Sequence, residues 1–169
     1  MGGDELGGFD DYAAAAWPRL VRAAMLLGCS PHDAEDLAQT ALTKCLLHWA
    51  RVCSADDRDA YVHRILVNTY ISSRRRRWHG EEPTEVLPDL EASVDGFASV
   101  LHTESLRRSL SRLPRDQRVV IVLRFYLDHS EAQMANPPGV APGTVKSRLS
   151  RALRSLSLDP NLADQEEKS

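Results

Sequence analysis

Ala141–Leu156, APGTVKSRLSRALRSL, is the stretch on which the reading of this chain turns. Val145, Leu149, Ala152, Leu153 and Leu156 recur at helical spacing and make one apolar stripe, while Lys146, Ser147, Ser150, Arg151 and Arg154 fall on the opposite side. One face is built to pack and the other is free to read. Pro142 suits the first helical position, where its missing N–H would have had no partner. Upstream, Ser130 and Gln133 stand in capping-box spacing and predict an earlier short helix. Helix, turn, basic helix is the arrangement that places a second helix in a major groove, its long cations on phosphates and guanine edges. A basic amphipathic helix is also the ordinary form of a solvated surface helix, so the stretch alone leaves both readings open.

Length and composition are those of a globular protein: 169 residues, 43% hydrophobic and 27% charged, enough for one ordinary domain or two small ones. The net charge of −3 is unevenly spread. Between His79 and Val100 stand Glu81, Glu82, Glu85, Asp89, Glu91 and Asp95 with no Lys or Arg, so this piece carries −6 and the remainder +3. A local basic surface survives the acidic total. Cys29, Cys45 and Cys53 form no C-x-x-C pair, and the six histidines lack metal-ligand spacing, which fits a reduced cytoplasmic protein without zinc or other cofactor. The aliphatic run Val119–Leu123 is too short to span a bilayer, and MGGDELGG lacks the form of a signal peptide, so no membrane insertion is expected.

In the N-terminal half, Ala13, Ala16, Trp17, Leu20, Val21 and Ala24 predict a helix from about Asp10 to Leu27, with Pro18 an obstacle in its middle. Ser30, Pro31 and Asp33 signal the next helix start. The stripe Ala34, Leu37, Ala38, Ala41, Leu42, Cys45, Leu46 and Trp49 follows, with Glu35, Asp36, Gln39, Thr43 and Lys44 outside. Helix-dipole stabilisation explains the acidic residues as well as a docking face does. A polar loop, Arg51 to Asp59, leads to a helix from about Asp59 to Arg77 with Val62, Ile65, Leu66 and Thr69 inward and Arg64, Asn68, Ser72 and Arg75 outward. It ends in Arg74, Arg75, Arg76, Arg77 and Trp78, a combination suited to phosphates and a stacked base, or simply to a solvated helix C-terminus.

Residues 79–100, with Pro83 and Pro88 and no sustained period, read as an extended acidic linker. Beyond it Leu106, Leu110 and Leu113 mark a short helix stopped by Pro114, and Arg115–Leu127 an apolar helix at the core of a second domain. The residues from Asp159 to Ser169 read as a frayed acidic tail. No acid–base pair, nucleophile arrangement or glycine-rich phosphate loop emerges, so an enzyme is not expected.

The runs LPRDQRVVIVLRFYLDHSEAQMA and GVAPGTVKSRLSRAL resemble region 4 of bacterial extracytoplasmic-function (group IV) sigma factors, actinobacterial members above all. DAEDLAQTAL and YVHRILVNTYISSRRRRW are similar to regions 2.1 to 2.4 of the same family, in the same order. The resemblance implies an all-α chain: a region 2-like domain at 9–78, an acidic linker at 79–100 and a region 4-like helix-turn-helix domain at 101–158. It implies a non-enzymatic initiation factor that binds core RNA polymerase, recognises promoter −35 and −10 elements and promotes opening, with an anti-sigma factor as a possible further partner. By position, Glu35, Asp36, Gln39 and Thr43 would meet the polymerase clamp. The Arg51–Asp59 loop and Asn68 would capture a flipped −10 base, whose Watson–Crick edge an amide can both donate to and accept from. Arg64, Arg74, Arg75, Arg76 and Arg77 would complete the −10 contacts. Thr144, Lys146, Ser147, Arg148, Ser150 and Arg151 would face the −35 groove, and the linker would thread toward the active-site cleft and RNA exit channel.

The chain departs from the family pattern at Pro137 and Pro138, where helix-compatible residues are usual, and at Ala141, where a hydroxyl cap is frequent. Proline inside a helix costs about 3 kcal/mol, and loss of the cap about 1 kcal/mol. A less stable helix-turn-helix, its first helix ending near Ala135 or Asn136, is expected. Two other readings stay open at this stage: a stand-alone DNA-binding regulator whose N-terminal half is regulatory, and a degenerate helical protein that only binds partners.

Overall fold

The computed structural model describes residues 3–80, 97–135 and 142–163. Among them there is helix and no strand. The chain divides into two compact units, Met1–Ala24 with Cys29–Pro88 and Met25–Gly28 with Asp89–Ser169.

α1 spans Gly3–Leu26 and belongs to the first unit as far as Ala24; in the same unit α2 spans Pro31–Leu47, α3 Trp49–Cys53 and α4 Arg58–Gly80. α1 runs through Pro18 rather than breaking there. The bond that proline forfeits is to the carbonyl of Ala14, and both residues lie on the exposed side, where water can take that carbonyl. Ser30 caps α2, its Oγ accepting from the Asp33 amide at 3.1 Å, and Pro31 fills the first turn. α2 packs along α4, burying Ala34, Leu37, Ala38, Ala41, Leu42 and Cys45 against Val62, Leu66, Val67 and Tyr70.

The expected stripe does not continue in one helix to Trp49. α2 ends at Leu47, leaving Leu47 exposed, and His48 turns the chain (φ −128°, ψ 32°) into α3. The segment read as a loop from Arg51 to Asp59 is therefore helical to Cys53 and again from Arg58. Trp49 is buried here by aromatic contact: its ring meets Phe9 edge-on at 5.2 Å and Tyr12 at 5.5 Å. The Tyr12 hydroxyl donates to Asp59 Oδ1 at 2.7 Å, joining α1 to the start of α4.

In the second unit α5 spans Phe97–Ser111, α6 Arg115–Ile121, α7 Glu131–Ala135, α8 Pro142–Ser157 and α9 Pro160–Ala163. α5 begins inside the stretch read as linker, whose remaining residues 81–96 lie outside the described residues, as do Pro137, Pro138 and Ala141. Beyond Pro88 no residue in that stretch forbids a helix, and polar composition alone marks no boundary. Arg118 closes the C-terminal end of α5, donating from Nε to the Leu110 carbonyl at 3.0 Å and from Nη2 to the Leu113 carbonyl at 3.1 Å. The apolar helix predicted for 115–127 exists, but past Ile121 it widens into a π-helical turn, Val122–Tyr126, closed by Leu127 N on Val122 O at 3.0 Å. Asp128 then takes a left-handed conformation (φ 56°), which a short polar side chain tolerates.

Ser130 and Gln133 form the expected capping box, the Ser130 amide donating to Gln133 Oε1 at 2.8 Å and the Gln133 amide to Ser130 Oγ at 3.1 Å. α6 and α7 both pack on α8, with Val119 and Met134 buried alongside Val145, Leu149 and Ala152; Leu123 of the π-helical turn is buried too. Leu153, assigned to the buried stripe, is 43% exposed. The expected frayed tail is ordered at its start: the Asp159 carboxylate is buried, Oδ1 lies 3.3 Å from Arg112 Nη1, and α9 follows it, while residues 164–169 lie outside the described residues.

Candidate nucleic-acid and polymerase interfaces

The exposed face of α8 follows from its buried one. With Val145, Leu149 and Ala152 fixed inward by α6 and α7, residues displaced by half a turn must point to solvent. Thr144, Lys146, Ser147, Ser150 and Arg151 are all exposed. Arg148 is different. It sits at the rim of that face, half-buried, with Nε 3.2 Å from Asp116 Oδ2 in the first turn of α6. A contact drawn as free for DNA is thus an ion pair in the isolated chain, across a separation in sequence that no local pattern reveals.

In α4, Arg64, Asn68, Ser72 and Arg75 succeed one another at intervals of three or four residues and share a face about 16 Å long at the helical rise. Asn68, Ser72, Arg75 and Arg76 are exposed. Arg64, expected outside, is half-buried, and its Nε has no acceptor among the described residues. The Arg74 guanidinium lies 5.6 Å from the Tyr70 ring centroid. The side chain of Arg77 lies outside the described residues. Arg58, included in the Arg51–Asp59 loop but not singled out there, is exposed with its guanidinium 5.8 Å from the Tyr12 ring centroid and 5.5 Å from that of Trp49. Its place at the junction of a polar loop and a cationic helix was a usable signal.

On α2, Glu35, Asp36, Gln39 and Thr43 are exposed together, as expected. The Thr43 hydroxyl donates to the Gln39 carbonyl at 2.8 Å, so toward any partner it is an acceptor only. Asp36 Oδ2 lies 3.4 Å from His32 Nε2. Between α2 and α4 runs an open groove of about 310 Å³, lined by hydroxyls of Thr40, Thr69 and Ser72 and cations of Lys44, Arg74 and Arg76, with Asp33 and Asp36 also on its wall. Lys44 Nζ donates to Thr69 Oγ1 across it at 3.1 Å. Among the described residues no group of His, Cys, Asp or Glu is placed to hold a metal ion, and no helix is long and apolar enough to cross a membrane.

Comparison with known proteins bears on both units. Residues 14–80 match the family profile described as Sigma-70 region 2, and residues 103–156 that described as Sigma-70, region 4. The chain is 36% identical over 168 residues to the RNA polymerase sigma-E factor of Streptomyces avermitilis, spanning 95% of this chain and 93% of that protein. It is 34% identical over 148 residues to the ECF RNA polymerase sigma factor SigM of Mycobacterium tuberculosis, spanning 85% and 72%. Among solved structures it is similar to the sigma factor RpoE in complex with the anti-sigma factor NepR from Bartonella quintana, with a TM-score of 0.63, 28% identity, and 89% and 94% of the two chains covered. A regulator working through its C-terminal motif alone would have no reason to carry region 2, and that reading is not favoured. With both regions present in order and relatives matched along nearly their whole length, the chain belongs to the extracytoplasmic-function RNA polymerase sigma factors, which are transcription initiation factors and not enzymes.

Proposed function

We propose that this chain is the promoter-specificity subunit of a bacterial RNA polymerase, working in the cytoplasm, and that its two units read separate promoter elements. The observation that carries the reading is the presence, in one chain, of two separate cationic helical faces, one in each sigma region. The exposed side of α8, with Thr144, Lys146, Ser147, Ser150 and Arg151, enters the −35 major groove, and Arg148 joins it from the rim. The α4 face takes the −10 element: Asn68 bonds the edge of a base that has left the stack, Arg64 lies on the same face, and Arg74, Arg75, Arg76 and Arg77 neutralise the adjoining backbone. Glu35, Asp36, Gln39 and Thr43 of α2 form the docking face for the polymerase core, and the acidic linker between the units passes toward the RNA exit path. An anti-sigma factor is a fitting further partner, since the Bartonella relative was solved bound to one.

Run-off transcription with bacterial core polymerase on a promoter found by selection tests this. A promoter-specific transcript is expected only when the chain is added; none under any ratio of chain to core would end the proposal. Asn68→Ala is expected to weaken opening more than duplex binding, and Arg151→Ala to weaken −35 binding. Equal effects of both substitutions on both steps would refute the division of labour.

A further inference from the structure

We propose that Asp116 is a positioning residue for promoter reading: it holds Arg148 by Nε so that the two terminal amino groups form a prepared fork for the O6 and N7 of one guanine in the −35 duplex. The inference rests on the assignment of α8 as the −35 helix. Three observations carry it. The ion pair is closest through Nε, the guanidinium nitrogen nearest the main chain, 3.2 Å from Asp116 Oδ2. The Arg148 side chain is 33% exposed and flanked one turn either way on α8 by exposed Thr144 and Arg151, so the fork stands beside the reading face rather than beneath it. The carboxylate comes from α6, which packs directly on α8, so its position is set by the core and not by a loop.

The chemistry favours a buttress over a plain structural tie. Asp116 is 49% exposed, and an ion pair so open to solvent adds little to folding. A free arginine at a helix rim samples many rotamers, and fixing it before DNA arrives removes that ordering cost from the binding step. Bidentate pairing of a guanidinium with guanine needs two adjacent N–H donors in one plane, and engagement through Nε leaves a terminal pair for that geometry. A carboxylate on the terminal amino groups would instead compete with DNA.

The test uses holoenzyme assembled from core polymerase and the full chain, with a labelled duplex of the selected promoter and a second whose −35 element is scrambled. Asp116→Ala is expected to lower discrimination between them about tenfold, the scale of one bidentate base contact, with the melting temperature of the chain unchanged. The loss should fall on a single G·C position in a base-by-base scan and be reproduced in the unaltered chain by 7-deazaguanine there. Asp116→Ala should add nothing in an Arg148→Ala background, and Asp116→Glu should restore part of the discrimination. Unchanged discrimination, an equal loss with and without Arg148, or a parallel rise in affinity for both duplexes would overturn the positioning role. Run-off on the same promoter separates the two levels. A transcript with unaltered discrimination in Asp116→Ala sinks only the buttress, whereas no transcript from the unaltered chain removes the parent reading and the buttress with it.

Discussion

Cys45 and Cys53 stand eight positions apart and differ in surroundings, which separates their chemistry. Cys45 has no exposed surface, and burial pushes its thiol up to about 11, while Cys53 on α3 is exposed and Cys29 buried. The thiolate is the reacting form. A native-state thiol titration near pH 8 is expected to show one fast group, lost in Cys53→Ser, and two slow ones released by denaturant. Glu104 carries a second prediction. The hydrogen bond from Arg107, reinforced by Arg108 and opposed by burial, holds its carboxyl below the ordinary 4.5. A carboxylate depressed in the folded state contributes stability that is complete above its unfolded value and fades as pH falls through the folded one. Urea titrations should therefore lose stability as pH drops below about 4.5, and Glu104→Gln should flatten that acid limb. Individual residues were legible where the signal is local: Ser30, Pro31 and the Ser130–Gln133 pair act within one turn of helix, and spacing alone exposes them. Arg148 and Asp159 were not, because their partners Asp116 and Arg112 are brought near only by tertiary packing, and a lone acidic residue before a polar tail resembles a frayed end.

At the level of the element, period decides most of what can be read and fails where period itself changes. The α2 and α8 stripes were clear because small and branched apolar residues alternate with charge at helical spacing. The break at His48 was hidden, since neither glycine nor proline announces it, and a five-residue helix such as α3 has too little length to show a period. The π-helical turn was hidden by Val119–Leu123, which is apolar on every side and so carries no phase. α4 offers the sharpest stability test. Leu66 has no exposed surface and packs between α4 and α2, so Leu66→Ala is expected to cost about 2–5 kcal/mol in chemical denaturation, by lost burial and the cavity left behind. Asn68→Ala, two positions on and exposed, should leave that midpoint almost unmoved while impairing promoter opening, which divides packing from function on one helix.

For the molecule as a whole, the charge map organises function. The −6 concentrated at 79–100 leaves +3 for everything else, so an acidic total coexists with cationic faces on α4 and α8. Each phosphate neutralised releases counterions, and Arg151→Ala is expected to lower the slope of log affinity against log salt by about 0.9 in holoenzyme binding to promoter duplex. A slope left intact would assign Arg151 to a base instead. The helical class of both halves and the basic character of the outer faces of α4 and α8 were legible in composition and spacing, and the order of the two regions in the resemblance to the family. The exact limits of the linker were not, because helix ends in polar sequence have no marker of their own.

One consequence follows from the continuity of α4. From Arg58 to His79 it contains neither glycine nor proline; its middle is clamped by Leu66, Val67 and Tyr70, and its far turns carry Arg75 and Arg76 into solvent. Such a rod has no hinge. It is a lever with its fulcrum in the bundle, and a strand that tugs on the outer cations delivers its load to Tyr70 and the helices around it, not to a yielding arm.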